Sequence, residues 1–422
     1  MSEVTNHGAR AHSRIGPSSM GRTLSCPGWV GFCADLKDKG SVFAREGTAA
    51  HMFCEHILST GESCSDYLDG VVDISGDTAK QQFFKTGQGP KADREDCFEI
   101  DNEMVEGAEL YVETIQTYLG EFVGDDSFEF EARLDMTHIH PLLFGTGDVL
   151  IYKAANRHLV VMDYKYGRGY AVEVEDNPQL LTYAVGAAHK LQNRGVDKVT
   201  LVVVQPRAFH RNGPVRVAEV TAAGLAEFVE VLRAGTARTE AEAPGFVAGE
   251  HCGFCPGAAL CGTLRDKVVE ITGASLGENG EMIMPVAEKM TPDELGTLVQ
   301  NSAIVERWFK RAMQYGHDQA LSGNLPTGTK LVEKRTFRKW IDADSVVEMF
   351  EILGYDESTY MSEPELLSPS KVEKALGRKE SAKVLAGLVG KTGGGLVMAL
   401  IDDPRKAKNP SDGDEFGAPA QD

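Results

Sequence analysis

Three cysteines in the run HCGFCPGAALC, Cys252, Cys255 and Cys261, form a C-x2-C-x5-C array, and a lone Cys26 in LSCPGW lies far upstream. Thiolates at two- and five-residue spacing can converge on one soft metal centre, and a distant fourth can close the shell. On spacing alone, a structural Zn2+ and an iron-sulfur centre suit four thiolates equally. Either would close a long loop, restrict the unfolded chain and fix the N-terminal segment against the end of a domain. Whatever lies between Cys26 and Cys252 must therefore return its two ends to one place. Cys33, Cys54, Cys64 and Cys97 carry no readable role in the sequence, since buried thiols are common.

A chain of 422 residues can bury a full core and has room for one large domain with a smaller appendage. No apolar run approaches the roughly 20 residues that a spanning helix needs, which argues against a membrane role. The opening segment, MSEVTNHGARAHSRIGPSSM, is polar and unlike a signal peptide, so a reducing, cytoplasmic setting is expected. A formal net charge of −20 argues against a broad duplex-binding surface. Nucleic-acid contact would have to be local. Basic residues cluster at Arg307, Lys310 and Arg311, and at Lys330, Lys334, Arg335, Arg338 and Lys339; solvated faces are the expectation for both.

Apolar residues recur at helical spacing over 41–59, presenting His51, and again over 105–123. The acidic stretch 70–103 reads as a loop or helical insertion. Four segments rich in β-branched and aromatic residues read as strands: FEFEARL (128–134), GDVLIYK (147–153), HLVVMDYK (158–165) and VTLVVVQP (199–206). Asn177 is a candidate N-cap and Pro178 the first helical residue of a helix running to about 192. Another helix is expected over 222–236. The order gives an α/β fold, a mixed central sheet flanked by helices.

Beyond residue 265 the character changes. TPDE (291–294) is a capping-box start for one long helix to Leu321, and SPSKVEKALGR and SAKVLAGLVGK suggest two shorter ones. Hence the expected division is 1–265, a helical region 266–401, and a disordered tail 402–422.

Asp163 and Lys165 are two apart in VVMDYKYG, so a strand presents both on one face. Asp148, in FGTGDVLIY, would lie beside Asp163 across a hairpin. Carboxylates held that close call for a hard divalent cation, Mg2+ or Mn2+. A nitrogen ligand from His51 tilts the preference towards Mn2+. Such an ion would acidify a water and polarise a phosphate, with Lys165 orienting that water or offsetting developing negative charge. Taken singly each element has an ordinary explanation: a surface ion pair, a packed histidine, a turn aspartate.

Taken in order, GTAAH (47–51), GTGD (145–148), DYK (163–165) and QLLTY (179–183), followed by the cysteine array and preceded by Cys26, resemble the RecB-like branch of the PD-(D/E)XK nuclease superfamily. The cysteine arrangement is similar to that of the CRISPR-adaptation exonucleases and the AddB-type helicase-nucleases. The resemblance covers roughly residues 20–265 and implies a restriction-endonuclease-like fold. It implies a [4Fe-4S] cluster on Cys26, Cys252, Cys255 and Cys261, and a metal site from His51, Asp148, Asp163 and Lys165, to which the backbone carbonyl of Tyr164 could add. By the same resemblance Gln179 and Tyr183 would contact substrate near the scissile phosphate, and the substrate would be a DNA end or single strand.

The whole chain also looks like an uncharacterised phage and prophage family carrying this core with a helical extension. That suggests a viral or mobile-element setting, in replication, recombination or host-DNA breakdown, and the acidic charge leaves open a partner protein that supplies DNA affinity. The expectation is a metal-dependent DNA exonuclease; the alternatives are a non-catalytic DNA-binding or assembly protein on the same fold, and a zinc-stapled interaction module. GLVGKT (387–392) lacks the glycine at 385 that a phosphate loop requires, where Leu385 stands.

Overall fold

The computed structural model describes residues 13–36, 42–75, 83–88, 96–278, 281–332 and Ile352. Two compact units divide between Gln319 and Ala320, well past residue 265, and the sheets and both cores lie in the first. The two short helices suggested near the C-terminus, GLVGKT, Lys334, Arg335, Arg338, Lys339 and the tail from 402 lie outside the described residues.

Two short helices, α1 (Met20–Ser25) and α2 (Trp29–Phe32), flank Cys26, and α3 (Val42–Thr60) carries His51. The stretch 70–103 departs from expectation. It holds a small antiparallel sheet of β1 (Gly70–Asp73), β2 (Phe83–Phe84) and β3 (Cys97–Ile100), with β1 in the middle. Its strands are too short for a clear period, and only their pairing across distant sequence defines them. Next comes α4 (Asn102–Leu119), capped by Asp101, whose carboxylate accepts from the Met104 N–H.

The main sheet follows: β4 (Ser127–Asp135), β5 (Phe144–Lys153), β6 (His158–Tyr164), then α5 (Pro178–Lys190), β7 (Lys198–Val204) and β8 (Val215–Thr221), side by side in that strand order. The pairs are antiparallel except β6 with β7, which α5 connects as a crossover. The fold is therefore α/β, a mixed five-stranded sheet with helices on both faces. Period two sends Leu159, Val161, Val199 and Leu201 to one face, under α1, α5 and α6 (Ala222–Ala237). Val160, Met162, Tyr164, Val202 and Val204 face α3 and α4. Close packing of α5 on β4 depends on Gly186, where an added Cβ would lie 2.9 Å from Leu134 Cβ; crowding of that kind costs about 1–3 kcal/mol.

After the cysteine loop run α7 (Gly262–Thr272), the ribbon of β9 (Ser275–Leu276) and β10 (Met282–Ile283), α8 (Pro292–Gln300) and α9 (Ser302–Leu321). The single helix expected to Leu321 is thus two. Asn301 ends α8 with φ −109° and ψ 9°, and its side-chain amide donates to Thr297 O, a local bond that competes with helix continuation. Ile304 and Trp308 of α9 pack against the core on the α5 face.

Candidate functional site

The ends of β5 and β6 meet one turn of α3 and the first turn of α5. Antiparallel pairing runs as far as Val149↔Met162, so Asp148 and Asp163 are the next opposed residues. Asp148 Oδ2 accepts from the Tyr164 N–H at 2.8 Å and lies 3.6 Å from His51 Nδ1. The His51 ring meets the Tyr164 ring edge-on at 5.3 Å. Across β4 stands Glu131. Ligand atoms of His51, Glu131 and Asp148 all lie within 4.8 Å of one another, the one such set of three among the described residues.

Asp163 is 2% exposed and is not one of that set. Lys165 Nζ sits 3.0 Å from its Oδ1 and 2.9 Å from its Oδ2. Only the first contact has hydrogen-bond geometry, leaving Oδ2 a buried acceptor without a donor. Gln179, placed by the Asn177 cap on the first turn of α5, ties the group together. Its amide nitrogen donates to Asp163 Oδ1 at 3.0 Å and to Tyr183 Oη at 2.9 Å, and its oxygen accepts from Lys165 Nζ at 3.2 Å. Tyr164, between Asp163 and Lys165, sends its side chain into the opposite core.

Electrostatics in this corner are unbalanced. Burial drives the Asp148 carboxyl well above the usual carboxylate range, and the charges of Asp163 and Glu131 push the same way. Burial also pulls the Lys165 ammonium down, but the Asp163 and Asp148 carboxylates outweigh it and hold it above its ordinary value. The Tyr183 phenol is held protonated by burial and by the same two carboxylates. Crowded carboxylates, one imidazole and a buried acceptor lacking a donor are the donor set that Mg2+ or Mn2+ takes. The residues present fit such an ion.

At the far side of α1 the cysteines gather. Cys26, Cys252, Cys255 and Cys261 line one cavity together with Arg22, Trp29 and His251. Their sulfurs do not close to mutual ligand distance, yet backbone donors already address them. The Val247 N–H points at Cys26 Sγ and the Gly249 N–H at Cys252 Sγ, each at 3.4 Å. A hydrogen bond from Cys33 lowers the Cys255 thiol to about 6. Amide donors on two sulfurs and a lowered Cys255 thiol suit a soft metal centre, while burial holds the Cys252 thiol above its usual value. Cys33 Sγ lies 3.8 Å from Cys255 Sγ, a fifth thiol at this site. Arg307 and Arg311 on α9 donate to Glu250 O and Gly253 O at 3.1 and 3.0 Å, so this basic cluster grips the cysteine loop in place of forming a purely solvated face.

The model of a family described as "Protein of unknown function (DUF2800)" matches residues 12–406. The chain belongs to that family. Among solved structures, one titled "Crystal structure of SSO0001" is similar at 13% identity, with a TM-score of 0.27, over 60% of this chain and 89% of that one.

In this DUF2800 member, each motif residue from the sequence falls at one of two places. His51, Asp148, Asp163, Lys165, Gln179 and Tyr183 share the corner of the sheet; Cys26, Cys252, Cys255 and Cys261 share the cavity. Glu131 and Cys33 are the additions. Glu131 sits in the alternating strand FEFEARL, where period two assigns it with Glu129 to the polar face. Cys33 lies seven residues after Cys26 and shows itself only once α2 has turned the chain back. No helix among the described residues is long and apolar enough to cross a membrane.

Proposed function

We propose that this chain is a metal-dependent deoxyribonuclease that hydrolyses phosphodiester bonds, acting as an exonuclease on DNA ends or single strands. One observation carries the reading. Residues from α3, β5, β6 and α5, far apart in sequence but in the order of the RecB-like motifs, meet in one corner around a fixed ammonium. His51, Glu131 and Asp148 would hold a divalent ion, with Asp163 beside them. When bound, that ion would polarise a phosphate oxygen and acidify a water. Lys165, kept charged by its two carboxylates, offsets negative charge developing on phosphorus oxygens. Gln179 fixes the direction of the ammonium and of Asp163, and the Tyr183 hydroxyl stays a donor because its proton is held.

In the cysteine cavity, Cys26, Cys252, Cys255 and Cys261 would hold a [4Fe-4S] cluster, with structural Zn2+ as the alternative. Its work is to staple α1 to the domain's end. The setting that fits is phage or prophage DNA metabolism in the cytoplasm of a bacterial host, beside a replication or recombination protein that contributes DNA affinity to a chain of net charge −20. The deciding experiment is cleavage of end-labelled single- and double-stranded DNA with Mg2+ or Mn2+. Cleavage by the wild type and none by Asp163→Ala is expected. Equal cleavage by both would overturn the site, and a wild type that binds DNA without cutting it would point to the scaffold alternative.

A further inference from the structure

Phe209, in the loop between β7 and β8, is 95% exposed, more than any other large apolar side chain among the described residues. A loose loop does not account for this, because the residues around it are held. Arg207 pairs with Glu46 at 2.8 Å and lies over the Tyr166 ring at 4.1 Å. Ala208 is buried. On the other side, the Asn212 N–H donates to His210 Nδ1 at 3.1 Å, which leaves the proton on Nε2 to face Glu173 Oε1 at 3.2 Å. At the base, the Gln205 N–H donates to Pro214 O at 2.8 Å. The backbone therefore delivers an aromatic ring to solvent in a fixed place.

That place is the catalytic edge. β6 and β7 run parallel with Asp163↔Val203 and Tyr164↔Val204 in register, and the Lys165 N–H donates to Val204 O at 2.8 Å. The segment after Lys165 and the loop bearing Phe209 thus leave the same end of the sheet. Gln205, 2% exposed, joins them: its amide nitrogen donates to Tyr170 O at 2.7 Å, and its oxygen accepts from the Val172 N–H at 2.9 Å. Arg216, equally buried, donates to the same oxygen and to Val172 O. The exposed Arg211 adds a cation two residues from Phe209.

We infer that Phe209 is a base-stacking contact that selects single-stranded DNA and leads it towards Asp163 and Lys165. The inference rests on the nuclease reading and deepens it. Every base has a π-face, so a stack on one ring is sequence-tolerant, whereas bases inside a duplex are already stacked on both sides. Stacking also supplies affinity without a wide cationic surface, which a chain of net charge −20 does not offer.

The test is fluorescence anisotropy with a labelled oligothymidylate and a labelled duplex hairpin lacking single-stranded ends, with Ca2+ replacing Mn2+ to suppress cleavage. Phe209→Ala should weaken single-strand binding about 5- to 150-fold, the loss of one base stack, and leave duplex binding unchanged. Phe209→Trp should bind the single strand as the wild type does, and Phe209→Leu should not. Unchanged single-strand affinity in Phe209→Ala, an equal loss on both DNAs, or full rescue by leucine would overturn the inference. Cleavage with Mn2+ separates the two readings. Cleavage with Phe209-independent binding removes only the stacking role; Phe209-dependent binding without cleavage removes only the nuclease.

Discussion

Glu131 and Asp148 oppose each other across the β4–β5 ladder at the one step its pairing omits, between Phe130↔Val149 and Ala132↔Gly147. Glu131 takes a left-handed φ of 52° there, which costs a non-glycine residue about 1–3 kcal/mol. Backbone strain and like-charge repulsion thus coincide beside His51, in the group of three that could hold a metal ion. Glu131→Gly removes both, so without metal the variant should be more stable than the wild type by about 1–3 kcal/mol. Its Mn2+ affinity should fall by at least about tenfold. Calorimetry with and without Mn2+ checks this, and a metal-free variant less stable than the wild type would count against the strain.

Asp148 sets a pH dependence. Its folded-state carboxyl lies well above the unfolded value of about 3.9, from burial first and then from Asp163 and Glu131. A raised carboxyl contributes stability that is fully present below the unfolded value and is lost as pH climbs through the folded one. Metal-free protein should therefore lose stability from mild acid towards neutral pH, and Asp148→Asn should flatten that slope. Saturating Mn2+ should do the same for the wild type by stabilising the ionised form. Melting temperatures across pH for both proteins decide it. Identical slopes in wild type and Asp148→Asn would remove Asp148 as the source.

Among the described residues, Lys165 is the only cation seated on the buried Asp163 carboxylate. Lys165→Met strands that charge, and breaking a buried pair from one side costs about 3–5 kcal/mol. Cleavage should be lost, and the melting point should recover in part when a divalent ion is added. Lys165→Arg should not restore activity, since a planar guanidinium cannot occupy the point that Gln179 and Asp163 define for an ammonium. Wild-type turnover in the methionine variant would show that the ammonium has no part in the chemistry.

What could be read from the sequence follows the range of each signal. Asp163 and Lys165 sharing a strand face, and Asn177 with Pro178 opening α5, rest on periods and caps spanning only a few residues. Glu131 has no local mark, because its role arises from a register between β4 and β5 that omits one step. β8 carries the alternation VRVAEVT, but its place at the sheet edge comes from pairing with β7. Arg307 reads as a solvated cation until Trp308, its neighbour on α9, packs against the core and Arg307 donates to the cysteine loop.

Cys33 and Cys26 offer two ways to complete the thiol set around Cys252, Cys255 and Cys261. Cys33 is within 3.8 Å of Cys255, while Cys26 lines the cavity and receives the Val247 amide. The backbone amide addresses Cys26 Sγ inside the cavity, so Cys26 is the expected ligand and Cys33 a bystander. Cys26→Ser should lose the bound iron or zinc, with a lower melting point because α1 is no longer stapled to the cysteine loop. Cys33→Ser should keep the full metal complement. Elemental analysis with absorption near roughly 400 nm reads both the stoichiometry and the kind of centre. Loss of metal in Cys33→Ser with retention in Cys26→Ser would exchange the two assignments, and the fixed amide at Val247 would then serve only to cap a buried thiol.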